Sequence, residues 1–253
     1  VSVTVADTPE AIKITQIFHE VDGRERVNAV AAILRHHKPE TAVLFCNTKQ
    51  RCDEVVTELA GKGFQVAALH GDLEQRDRDL VLVKFSNRSC PILVATDVAA
   101  RGLDIKDLAM VINVEMAFDP EVHVHRIGRT GRAGQSGLAV SLCAPADGHR
   151  VLAVEDYQSI KVDWKDLPVA TGASSTVLPR MVTLNIAGGR KDKVRPGDIL
   201  GALTGDAGIP GAMVGKIDIF DMQAYVAVDR DVANQAIKGL GKIKGRIFRV
   251  RKV

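Results

Sequence analysis

Short apolar runs and amphipathic stretches alternate along the first 160 or so residues. Thr41–Cys46, Ile92–Ala95 and Met110–Val114 are almost unbroken apolar text, the pattern of strands buried on both faces. Between such runs the period changes. Val27, Val30, Ala31 and Leu34 recur at helical spacing up to His37, and Cys52, Val55, Val56 and Leu59 do so again. Asp22 with Glu25 three residues on predicts the first helix start, Asn47 or Thr48 the second, and Gly61 and Gly63 stop that one. The same reading predicts strands at Ile14–Val21, Gln65–Leu69 and Leu138–Cys143. It predicts helices ending at Phe85, within Thr96–Gly102, over Glu121–Arg129 and from Pro145 to Ile160.

Strands alternating with helices predict an α/β fold, a parallel sheet with helices on both faces. In such sheets ligands sit beyond the carboxyl ends of the strands. The polar segments Asn47-Thr48, His70-Gly71-Asp72, Thr96-Asp97 and Arg101–Asp104 all follow strands, so they converge on one edge.

The text changes at 165–180, where Pro168, a Thr/Gly/Ala/Ser run and Pro179 predict a linker between domains 1–164 and 181–253. Beyond it come strand Met181–Ala187, helix Pro196–Leu203, strands Val214–Phe220 and Gln223–Val228, helix Asp231–Leu240 and strand Arg246–Lys252. That β-α-β-β-α-β order is a smaller α+β, ferredoxin-like unit. If Val182, Leu184 and Ile186 face inward, alternation exposes Thr183 and Asn185, and likewise Tyr225 beside Arg249 and Arg251.

Charge sharpens the division. Residues 1–173 hold 20 Lys+Arg against 24 Asp+Glu, and residues 174–253 hold 14 against 7. A basic module on a mildly acidic body points to a polyanion partner. Its candidate contacts are Arg190, Lys191, Lys193, Tyr225, Lys242, Lys244, Arg246, Arg249, Arg251 and Lys252. No apolar run reaches the roughly 18 residues of a membrane span. The four cysteines lack metal-ligand spacing and read as reduced, buried thiols of a cytoplasmic protein.

The densest chemistry lies in His125–Gly134, where His125, Arg129 and Arg132 stand at i, i+4 and i+7. Guanidiniums placed so suit the forked recognition of phosphate oxygens. This stretch, with Val94–Ile105 before it, resembles the C-terminal RecA-like domain of DEAD-box ATP-dependent RNA helicases. Leu44–Thr48 resembles motif IV of that family, and Leu69–Arg78 carries its QxxR element at Gln75 and Arg78. The added module is similar to that of the bacterial DbpA type, which is associated with 23S ribosomal RNA and assembly of the large ribosomal subunit. The resemblance covers residues 1 to about 160 for the motor, and the module resembles an RNA-recognition motif with few of its aromatic positions filled.

The resemblance implies roles residue by residue. Arg129 and Arg132 are catalytic arginine fingers on the γ-phosphate of ATP. Asp104, Gly102 and His125 serve the nucleotide site, and Thr48, Gln75, Arg78 and Thr96 grip the RNA backbone. No GxxxxGK[ST] loop and no Asp-Glu-Ala-Asp occur in the chain. ATP and Mg²⁺ are therefore expected mainly in a first RecA-like lobe, a partner of this one, and the chain alone is expected not to hydrolyse ATP. The expected partners are RNA, above all a 23S hairpin in the large-subunit precursor. The competing reading is a non-catalytic RNA-binding protein that retains a motor lobe.

Overall fold

The structure, a computed structural model, describes residues 2–5, 12–101, 107–131, 136–169 and 178–253. In chain order the elements begin β1 (Ser2–Val5), β2 (Ile12–Glu20), α1 (Arg26–His37), β3 (Ala42–Phe45), α2 (Lys49–Gly61) and β4 (Val66–Leu69). They continue α3 (Gln75–Ser86), β5 (Ile92–Ala95), α4 (Asp97–Ala100), β6 (Met110–Asn113), α5 (Pro120–Ile127), β7 (Gly137–Cys143) and α6 (Gly148–Gln158). The last elements are β8 (Met181–Ile186), α7 (Pro196–Gly201), β9 (Val214–Ile219), β10 (Ala224–Asp229), α8 (Ala233–Leu240), β11 (Lys242–Ile243), β12 (Arg246–Ile247) and β13 (Val250–Lys252). Two compact units result: Val1–Gln75 with Ile92–Val177, and Arg76–Pro91 with Leu178–Val253.

Seven strands form the large sheet in the order β1-β2-β7-β6-β3-β5-β4, parallel throughout except for β1. Every residue of β3, β5 and β6 is buried, which is what their unbroken apolar text demands. Val30, Ile33 and Leu34 of α1 pack with Leu44, Val94, Ile112 and Val140 in one core cluster. Each such side chain contributes about 1.5–3 kcal/mol by leaving water. Cys46 and Cys52 sit in this cluster, and Cys90 and Cys143 are buried elsewhere in the chain. Burial pushes the Cys143 thiol up to about 12, and a hydrogen bond with Cys52, aided by burial, drives the Cys46 thiol upward as well.

At two helices the boundary differs from the sequence reading in a way that moves a cap or a candidate residue. Asp22 does not cap α1, because its Oδ1 accepts from Arg24 N at 2.8 Å in a tight turn, and Glu25 holds the cap position. Helix α5 begins at Pro120 under an Asp119 cap and ends at Ile127, so Arg129 lies beyond Gly128 rather than on the helix.

In the second unit β13-β8-β10-β9 form an antiparallel sheet, the strand order of a ferredoxin-like unit. Its core gathers Leu184, Ile186, Ile199, Leu203, Val226, Ala236 and Leu240. The single last strand read from sequence is instead split. Phe248 turns into the core, its N–H donating to Gly241 O at 3.0 Å, and separates β12 from β13. Position 188 must then be glycine, since a Cβ there would stand 2.2 Å from the Phe248 ring.

Candidate nucleic-acid interface

The strand-end segments of the first unit are drawn together by Arg126, a residue the sequence reading passed over. It lies on the inner side of α5 with His123 and Ile127 and is 2% exposed. Its Nε and Nη2 grip both carboxylate oxygens of Asp97 at 2.6 and 2.8 Å. Nη2 also donates to Asn47 Oδ1 at 2.8 Å, and Nη1 to Glu115 O at 2.8 Å and Asn113 Oδ1 at 3.3 Å. The guanidinium carbon stands 5.2 Å over the Phe45 ring. A buried guanidinium costs several kcal/mol in desolvation unless its donors are met; every donor group here is met.

The consequence is geometric. Asn47 follows β3, Asp97 follows β5, Asn113 ends β6 and Arg126 belongs to α5, so one side chain fixes four polar segments relative to each other. A second layer supports them. Glu115 Oε2 accepts from Asn47 N at 2.8 Å, and Asn47 Nδ2 donates to Met116 O at 3.0 Å.

On the same helix His123 is wholly buried, with Nε2 at 3.1 Å from Gln16 Oε1 and Nδ1 without a partner. Burial, aided by the Arg126 charge, holds its imidazole down at about 3, so it stays neutral. A signal for Arg126 did exist in the sequence. An arginine beside Ile127 on the apolar side of a helix must be answered by buried acceptors, and Asn47, Asp97 and Asn113 were available.

The residues expected from the sequence are placed unevenly. Thr48 caps α2, its Oγ1 accepting from Arg51 N at 3.1 Å, which leaves its hydroxyl proton free to donate. Thr96 is nearly buried at the head of α4. His125 is exposed on α5, and Arg129 is half-buried in the turn after it, its carbonyl accepting from Leu108 N at 3.2 Å. Gln75 opens α3 and belongs to the first unit, whereas Arg78 belongs to the second. Gly102, Asp104 and Arg132 lie outside the described residues.

In the second unit the expected exposure of the sheet face is overturned. Tyr225 is 4% exposed, its ring edge-on to Phe220 at 5.7 Å, and Thr183 and Asn185 are buried too. Part of α3 and the segment after it belong to this unit and account for the closure. Asn87 Nδ2 donates to Thr183 Oγ1 at 3.1 Å, and Ser89 Oγ lies 2.6 Å from the same hydroxyl. Tyr225 is therefore no exposed stacking platform; burial raises its phenol pKa.

The basic candidates separate into two sets. Arg190 pairs with Asp221 at 3.0 Å, Lys244 with Asp198 at 2.8 Å and Arg246 with Asp192 at 3.3 Å. Lys191, Lys193, Lys242, Arg249 and Arg251 are exposed and make no ion pair among the described residues. The same residues contain no cluster fit for a metal ion and no helix long and apolar enough to cross a membrane.

Comparison with known proteins bears on both units. Residues 25–134 match the helicase conserved C-terminal domain, and residues 183–252 match the DbpA RNA binding domain. The ATP-dependent RNA helicase DbpA of Escherichia coli is 51% identical over 248 residues, 97% of this chain and 54% of that protein. The chain belongs to the DbpA-type DEAD-box helicases. It spans about half the length of that relative, in the C-terminal region. Solved DEAD-box structures agree on the fold. A DEAD box protein from Methanococcus jannaschii is 37% identical with a TM-score of 0.57, over 60% of this chain and 42% of that one. Yeast Dbp5 bound to RNA and ADP BeF3 is 28% identical with a TM-score of 0.57, over 61% and 42%. The Arg126 network thus lies in the C-terminal motor domain of a DbpA-type helicase, and the unpaired cations lie in its RNA-binding domain.

Proposed function

We propose that the chain is the second motor lobe and RNA anchor of a cytoplasmic ATP-dependent RNA helicase. Its substrate in this reading is structured ribosomal RNA, a 23S hairpin within the precursor of the large subunit. One observation carries the reading: a helicase domain with its strand-end segments pinned to α5, and a DbpA RNA binding domain, share one chain. ATP and Mg²⁺ sit mainly in a first RecA-like lobe. Arg129 and Arg132 reach across to the γ-phosphate, since a guanidinium stays charged and can fork onto a transferring phosphoryl group. Asp104 and Gly102 serve the nucleotide, and His125 links this lobe to the other.

Thr48, Thr96, Gln75 and Arg78 hold RNA by its backbone, where short hydroxyls and cations grip phosphate without reading sequence. In the anchor, Lys191, Lys193, Lys242, Arg249 and Arg251 make the main phosphate contacts. Arg190, Lys244 and Arg246 contribute less, because each must first leave a carboxylate.

RNA-stimulated ATP hydrolysis by the chain joined to a first lobe tests this. Arg129→Ala and Arg132→Ala are expected to lower kcat by about 10³–10⁵ while nucleotide affinity changes little. Near wild-type turnover in both variants overturns the finger assignment. Hydrolysis by this chain alone, above a no-protein control, overturns the half-motor reading.

A further inference from the structure

The turn that follows α5 carries Arg129 between two glycines, Gly128 and Gly131. Gly131 takes the left-handed backbone, at φ 78°, that side chains disfavour. Glycine on either side gives the turn little stiffness of its own. A guanidinium that has to meet a transferring phosphoryl group needs its base held to within a fraction of an ångström.

The bonds that hold this base run to two places. Arg129 N donates to Arg126 O at 3.2 Å and Thr130 N to Ile127 O at 3.1 Å, which carries the turn off the end of α5. On the other side Leu108 N donates to Arg129 O at 3.2 Å, and Thr130 Oγ1 donates to Leu108 O at 2.5 Å. Leu108, just before β6, is thus gripped at both its N–H and its carbonyl by consecutive residues, and an isolated parallel bridge joins the two stretches. Thr130 is wholly buried, so no water stands ready to replace its hydroxyl on that carbonyl. Gly137, at the start of β7, closes the remaining side. A Cβ there would stand 2.4 Å from Gly131 N and 2.7 Å from Thr130 Oγ1, so the turn has no slack in that direction.

Packing alone would be satisfied at 130 by a valine of the same shape; the hydroxyl adds the bond to Leu108. That bond also reaches toward the nucleotide side, because Leu108 stands four positions after Asp104 in the chain. We propose that Thr130 is a positioning residue for Arg129: its hydroxyl, strapped to Leu108, sets where the guanidinium meets the γ-phosphate. This role rests on the reading of Arg129 as a finger, and the buried Thr130 touches neither nucleotide nor RNA.

The test compares Thr130→Val, Thr130→Ala and Thr130→Ser in the chain joined to a first lobe. RNA-stimulated ATP hydrolysis is read at a temperature where urea midpoints show each variant folded. Thr130→Val keeps the shape and loses the hydroxyl. It is expected to lower kcat roughly 10- to 100-fold, the scale of a group displaced by about 1 Å, with KM for ATP and RNA affinity unchanged within about twofold. Thr130→Ser should recover most of the turnover. On an Arg129→Ala background Thr130→Val should add nothing, since a residue acting through Arg129 has nothing left to place. Thr130→Ala stands in if the valine variant does not fold, and failure of both to fold makes the strap a folding element and ends the proposal. Wild-type kcat in Thr130→Val, an equal loss in Thr130→Ser, or an undiminished loss on the Arg129→Ala background overturns the positioning role and leaves the finger standing. Near wild-type turnover in Arg129→Ala overturns the finger, and the positioning role with it.

Discussion

Arg126 and Arg251 bring the same guanidinium into opposite circumstances. Arg126 is sealed inside the first unit with all its donor groups engaged by Asn47, Asp97, Asn113 and Glu115. Arg251 stands exposed at a cleft of the second unit with no ion pair among the described residues. Both occur in strongly polar text, and composition cannot tell them apart. Their difference shows that a cation already engaged by the fold is architecture, whereas one left without a counter-charge beside other unpaired cations is available to an outside anion. The first sort governs stability and alignment; the second governs affinity and its response to salt.

The largest expected contrast is in stability. Arg126→Met leaves the Asp97 carboxylate and two amides facing an apolar side chain, and breaking a buried pair from one side costs about 3–5 kcal/mol. Arg251→Met should stay within about 0.5 kcal/mol. Urea unfolding of the two variants measures the gap, and equal midpoints would erase the distinction between the two arginines. Arg126→Lys keeps the charge but cannot make the fork to Asp97, so it should fall between them.

A smaller effect concerns pH and arises beside Arg126. His123 is neutral when folded, with its pKa near 3 against an ordinary 6.5. As pH falls below 6.5 the unfolded chain takes up a proton that the folded chain refuses, so stability declines. The slope is about 1.4 kcal/mol per pH unit, or about 2 kcal/mol between pH 7.5 and 5. His123→Gln should shrink the difference between urea midpoints at those two pH values by that amount. An undiminished difference would mean that His123 is not the group responsible.

The smallest effect separates cations within the RNA-binding domain. Arg249→Gln with Arg251→Gln should flatten the dependence of log K on log salt by roughly 0.7–0.9 for each phosphate no longer neutralised. Arg190→Gln with Lys244→Gln should flatten it less, because those side chains are already held by Asp221 and Asp198. Salt titrations against one hairpin RNA compare the pairs, and equal slopes would show that internal pairing does not set a cation's part in binding.

The parallel sheet was readable because β3, β5 and β6 are buried on both faces, so their whole text is apolar. Thr48 was equally plain, since a cap is a local hydrogen bond. Arg126 was not, because its meaning rests on partners 11 to 79 residues away that only the sheet assembles. Tyr225 misled for a related reason. Strand alternation correctly turns it away from the core formed by Ala224 and Val226, but alternation cannot say whether another element covers that face. The residues after α3 cover part of it through Asn87 and Ser89, which are separated from Thr183 by 96 and 94 positions. The split of the last strand went unseen because Phe248 fits an alternating pattern and a core anchor equally well.

The four buried cysteines have a practical consequence. A maleimide dye reacts with a thiolate that it can reach, and the native sulfurs are enclosed, with the thiols of Cys46 and Cys143 held protonated. The wild-type chain should therefore be nearly silent to such labels while folded. Val98→Cys, at a position 77% exposed in the motor domain, and Met222→Cys, at the cleft, would each add one bright handle without first stripping the native cysteines. Fluorescence could then follow RNA arriving at either unit in a protein that is otherwise unaltered.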